Sequence, residues 1–154
     1  MKPHIERTRR GYRLRLSEEE RAVLRGLPGQ MRAMLDSEDP SAYRLFPPGY
    51  QDDPRRAEEF RLLTRDDLVA HKKAAFQVLE ETLDADRLDE DQLAAWMGAL
   101  NDLRLVLGTR LGVTDEDEPD VDPDDPDAPV RSLYSFLGWL MEQAVDAAAS
   151  GLGR

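Results

Sequence analysis

Few side chains in this sequence stand where they could do chemistry, and the clearest of them is Arg104. At a step of about 100° per residue it falls inside an apolar helical stripe, between Met97, Leu100 and Leu107. An unpaired buried charge is costly, so such an arginine needs a carboxylate or several carbonyls. Asp102 points to the opposite side of the same helix, and Asn101 stands at the stripe's edge with Gly108. Two readings follow. In the first, Arg104 is structural and pins a proline-rich loop to the core through Asp52 or Asp53. In the second, it is an anion-binding or small-molecule site, gathering Arg44, Tyr50, Asp53 and Arg61 against Asn101 and Arg104. Buried ion pairs are more often architectural than catalytic, which favours the first.

Other candidate chemistry is sparse. Asp120, Asp122 and Asp124 have the opening spacing of a calcium loop, but Asp125 stands where that loop needs glycine and no closing glutamate follows. His4 and His71 offer no metal-ligand spacing, and no metal is expected. The absence of cysteine excludes disulfides, thiol catalysis and thiol redox sensing. No glycine-rich phosphate loop occurs, and no serine or threonine has a histidine base in a known motif. No catalytic residue and no cofactor are therefore assigned.

The elements that must position these residues are mostly helices. Residues 89–113 form the longest apolar-periodic run without proline. Asp89 with Gln92 resembles a capping box and Gly112 a stop, which predicts a central helix over about 90–112. It is apolar almost all round near its middle, so other helices should surround it. Upstream, Tyr12, Leu14 and Leu16 alternate with Arg13 and Arg15 as in a half-buried strand. The Arg9-Arg10-Gly11 step then turns a hairpin from a first strand at Ile5 to Thr8. Ser17 with Glu20 caps a helix that should kink or break near Pro28. Its Arg21, Arg25 and Arg32 read as a solvated basic face. Residues 37–54 form a long loop in which Leu45 and Phe46 should plug the core. A short helix is expected from Pro54 to about Leu63, and a second from Thr64 to about Leu83. On the second, Lys72 should reach to the rim and His71 should pack at the surface. The last helix spans about 130–150 and leaves Trp139 outward, an interface candidate because tryptophan anchors interfaces. The fold expected is mainly α: about four main helices around the central one, with an N-terminal β-hairpin.

Composition agrees. The chain has 154 residues, 40% hydrophobic and 34% charged, which suits one helical domain over 1–154. Its net charge of −11 is unevenly spread. Thr114 to Pro129 carry nine acidic side chains and no basic one, whereas the first 32 residues carry nine Lys or Arg against four Glu. An acidic flexible loop over 114–129 is expected, with a basic N-terminal end. No apolar run suits a membrane span and no signal peptide opens the chain, so a cytoplasmic protein follows.

RLRLSEEE, then RLFPPGYQDDP with EEFRLLTRDDL, then LNDLRLVLGTRLGV before an acidic stretch resemble an uncharacterised actinobacterial domain-of-unknown-function family across nearly the whole chain. The resemblance implies a small cytoplasmic α-helical protein, with genes often near that of the Clp protease adaptor. It also implies regulatory members, some answering redox stress through paired cysteines. This chain has no cysteine, so that thiol mechanism does not carry over. The reading that results is a regulatory or adaptor-type protein that binds another protein and self-associates as a homodimer; the alternative is a small-molecule or anion-binding protein or enzyme with its cleft near Arg104 and the proline-rich loop. Nucleic-acid binding is disfavoured by the acidity.

Overall fold

The computed structural model describes residues 3–37, 45, 54–111 and 126–150. Within them the chain runs β1 (Ile5–Thr8), β2 (Gly11–Leu14), α1 (Glu18–Arg25), α2 (Leu27–Ser37), α3 (Pro54–Glu81), β3 (Arg87–Leu88), α4 (Glu90–Leu111) and α5 (Ala128–Ala149). The expected class forms: mainly helical, gathered round α4, with an N-terminal antiparallel strand pair. Helix α4 lies between α3 and α5, and β1 packs on α5. Trp96, Leu100, Leu103 and Val106 of α4 are buried with Phe76 and Leu79 of α3 and Leu137, Leu140 and Ala144 of α5.

The strand alternation buries Ile5, Tyr12 and Leu14. Arg9 and Arg10 turn the chain, and Thr8 pairs with Gly11 across the hairpin. Gly11 holds φ at 120°, and a Cβ there would lie 2.5 Å from the Leu88 carbonyl oxygen. Only glycine suits both conditions. The carbonyl belongs to β3, a third strand that pairs Leu88 with Tyr12 and Arg87 with Arg13. Two residues are too few to show an alternation, so the sequence pattern carries no sign of it.

Two capping boxes form as the sequence predicts. Ser17 Oγ accepts from Glu20 N (3.1 Å) while Glu20 Oε1 accepts from Ser17 N (2.8 Å). Asp89 and Gln92 make the same reciprocal pair at the start of α4, at 2.7 and 2.9 Å. The expected break near Pro28 separates α1 from α2 at Gly26, and Pro28 sits in the first turn of α2, where its missing N–H costs little.

Other expectations are corrected. The two helices expected from Pro54 to Leu63 and from Thr64 onward are one, α3. No glycine or proline lies between Arg55 and Leu83, so the hydrogen-bond ladder runs straight through Thr64. Of the basic residues expected on a solvated face of α1 and α2, Arg21 turns inward, while Arg25 and Arg32 stay at the surface and pair with acids of α3 and the turn after it. Arg21 is buried and donates to the carbonyls of Leu16 (3.1 Å), Leu83 and Ala85 (3.2 Å). Arg25 pairs with Asp84 at 2.7 Å and Arg32 with Glu80 at 2.6 Å. Helix α5 begins at Ala128, two residues before the expected start, so residues 128–129 belong to its first turn. Leu45 is buried in the core as expected; Phe46 and residues 112–125 lie outside the described residues. No helix among the described residues is long and apolar enough to cross a membrane.

Candidate functional site: a groove between α3 and α4

Helices α3 and α4 leave an open groove of about 470 Å³ between them. Its walls are small and apolar: Ala74, Ala75 and Val78 from α3, and Ala94, Ala95 and Gly98 from α4. The spacing of Ala94, Gly98 and Asn101 puts them on the narrow strip of α4 that neither neighbouring helix covers, and all three are exposed. Gly98 has no steric duty in the fold. No described atom lies within 4 Å of where its Cβ would be. A glycine inside a helix costs about 0.5–1 kcal/mol relative to alanine. Without a side chain there, the α4 backbone is open to close approach from outside.

The polar end of the groove holds Lys72, Asp102, His71 and Asn101, with Asp91 elsewhere in the lining. Lys72 Nζ donates to both Asp102 carboxylate oxygens, at 3.2 and 3.1 Å. The side chains are only 16% and 9% exposed. Burial pushes the Asp102 carboxyl above the usual carboxylate range, although the Lys72 ammonium and, more weakly, His71 pull it down. The Lys72 and Asp102 charges are thus committed to each other. Lys72 does not snorkel to solvent, as its stripe position suggests, because a carboxylate meets it across the seam. Asp102 escapes notice in the sequence because it lies opposite the main stripe. In a helix covered on two sides, the opposite side is a second interface. An acid on α4 and a lysine on α3, each at a core-facing position, are the signal that could have found the pair.

The sequence-predicted cluster is not brought together among the described residues. Asn101 lines the α3–α4 groove. Arg104 turns the other way, to α5. Its Nη2 donates to Tyr134 Oη at a long 3.4 Å, and its guanidinium carbon lies 5.1 Å from the centre of the Tyr134 ring. Its Nε is buried without a hydrogen-bond partner, and a Cβ on Gly138 would come within 3.1 Å of it. Arg104 opens on a smaller pocket of about 270 Å³ that Glu142 and Asp146 also line. Two carboxylates beside one guanidinium do not favour an anion there. Arg44, Tyr50, Asp52 and Asp53 lie outside the described residues. Arg61 is on α3. Trp139 is 39% exposed, rests edge-on against His4 with ring centres 4.5 Å apart, and stacks near Phe136. His4 in turn is held by Glu20 at 3.1 Å.

A model of a protein family described as a domain of unknown function, DUF2017, matches residues 1–148. The chain belongs to that family. Among curated proteins it is similar to the oxidative stress regulator AosR of Mycobacterium tuberculosis and that of Mycobacterium bovis. Each is 29% identical over 181 residues, covering 90% of this chain and 83% of the relative. That aligned span exceeds this chain's own length, so the relatives carry inserted residues. No solved structure matches significantly. The family membership agrees with the resemblance read from the sequence blocks.

Proposed function

We propose that this DUF2017 chain is a regulatory protein that works by binding another protein, with the α3–α4 groove as its docking site. The observation that carries this reading is Gly98. It is an exposed helix-interior glycine with open space at its Cβ, set in a groove walled by alanines. Small residues let a partner backbone approach closely, as when an amphipathic helix lies in a groove. The similarity to proteins named as oxidative stress regulators supports the regulatory part. A cytoplasmic setting goes with it. A cysteine-free member must be driven by something other than a thiol pair of its own. Anion binding at Arg104 is the weaker reading, given Glu142 and Asp146 beside it.

Affinity capture from the source organism with wild type and Gly98→Phe tests this. The phenylalanine fills open space, so the fold should persist by circular dichroism. A discrete partner held by wild type and lost by Gly98→Phe is the expected result. A partner held equally by both would remove the groove from the account, and no partner in either would remove protein binding.

A further inference from the structure

The outer face of the three-stranded sheet carries cations that no described acid pairs. Tyr12 and Leu14 are buried, so Arg13 between them points outward; Leu88 is buried, so Arg87 beside it does too. The two are register partners across β2 and β3. Like charges placed directly opposite in an antiparallel pair are destabilising. Arg9 and Arg10 add two exposed cations at the adjoining turn. Among the described residues none of these four has a carboxylate or carbonyl partner. Elsewhere surface cations are engaged: exposed Arg25 with Asp84, and half-buried Arg32 with Glu80. Glu6, the other register neighbour of Arg13, is held by Arg15 at 3.2 Å.

We infer that this face docks a short acidic segment of a partner protein. The inference rests on the protein-binding reading above and adds a second contact to it. Guanidinium forks match carboxylates in pairs, and the Arg13–Arg87 pair offers two forks side by side. Arg10 stands three residues along, about 10 Å away, which suits carboxylates a few residues apart on an extended peptide. Length is what selects a peptide over nucleic acid. Exposed Asp86 and Asp89 border the β3 side, and the whole chain carries a net charge of −11. A polyanion continuing past the arginines meets repulsion, whereas a short acidic stretch ends within the patch.

Fluorescence anisotropy at low salt with the full chain tests this, using labelled hexaglutamate, hexaglutamine and a single-stranded oligothymidine. Hexaglutamate should bind, hexaglutamine should not, and oligothymidine should bind more weakly than hexaglutamate. Arg13→Glu with Arg87→Glu should weaken hexaglutamate binding about tenfold, the sum of two exposed pairs lost and two repulsions gained. The exposed positions should leave the circular dichroism unchanged; if they do not, Arg9→Glu with Arg10→Glu in the turn replaces them and should also weaken binding. Hexaglutamate binding that ignores a folded charge-reversed variant, tighter binding of oligothymidine, or no hexaglutamate binding at all would overturn the inference. A captured partner that survives the charge reversal but not Gly98→Phe would also overturn it, leaving the groove reading intact. Hexaglutamate binding lost on charge reversal, with no partner captured by the groove test, would support this face while the groove reading fails.

Discussion

Removing the charge at Arg104 is expected to cost little. Its Nε is buried without a partner, a penalty of about 1–3 kcal/mol, against a cation–π contact with Tyr134 worth about 0.5–1 kcal/mol. Arg104→Leu should therefore unfold within about 1 kcal/mol of wild type, or above it, in urea titrations. Its place among Met97, Leu100 and Leu107 was legible from spacing alone. What it would meet was not, because spacing on one helix does not say which neighbour covers that side. A carboxylate from Asp52 or Asp53 remains a proposal. If such a pair exists, Asp52→Ala or Asp53→Ala strands the guanidinium at about 3–5 kcal/mol and costs more than Arg104→Leu. Gly11 is the opposite case, a residue whose type is fixed by its place. With φ at 120° and the Leu88 oxygen 2.5 Å from a Cβ, Gly11→Ala should lose at least about 1–3 kcal/mol in the same measurement. An unchanged midpoint would mean that the hairpin docks differently on β3.

Between elements, the Lys72–Asp102 pair joins α3 to α4 and gives asymmetric mutants. Lys72→Met strands a carboxylate that is 9% exposed and should cost about 3–5 kcal/mol at neutral pH. Asp102→Asn leaves a lysine long enough to reach water and should cost less. The pH dependence follows from the raised Asp102 value. The folded chain keeps that proton to higher pH than the unfolded chain, so this group's contribution to stability grows as pH falls through its folded value toward the unfolded one. The gap in melting temperature between Lys72→Met and wild type should narrow on going from about pH 7 to about pH 5. A gap that widens would contradict the assignment. Most of the helices were readable from capping boxes and periodicity, but α3 reads in the sequence as two. The arginine contacts of α1 and α2 were not, because a polar stripe looks the same whether water or α3's carboxylates face it. The third strand was too short to leave a pattern.

Across the whole molecule, α4 is buried by α3 and α5, and among the described residues a narrow strip of it is left open at Ala94, Gly98 and Asn101. Self-association through the outer side of α5 is a separate proposal, motivated by Trp139 at 39% exposure. Light scattering should give twice the chain mass for wild type and less for Trp139→Ser; a monomer mass at high concentration would count against it. The groove was not legible in the sequence. Alanines and a glycine on α4 read as a weak part of an apolar helix, and only the approach of α3 turns them into a wall. A protein docked in that groove would lie against Ala94 on its exposed lip. The most direct measurement places a photo-crosslinking amino acid at Ala94, on the exposed lip, and irradiates living cells of the source organism. A single protein adduct that also disappears with Gly98→Phe is the result this account predicts. No adduct from Ala94, under conditions where an equivalent probe elsewhere on the surface does crosslink, would contradict it.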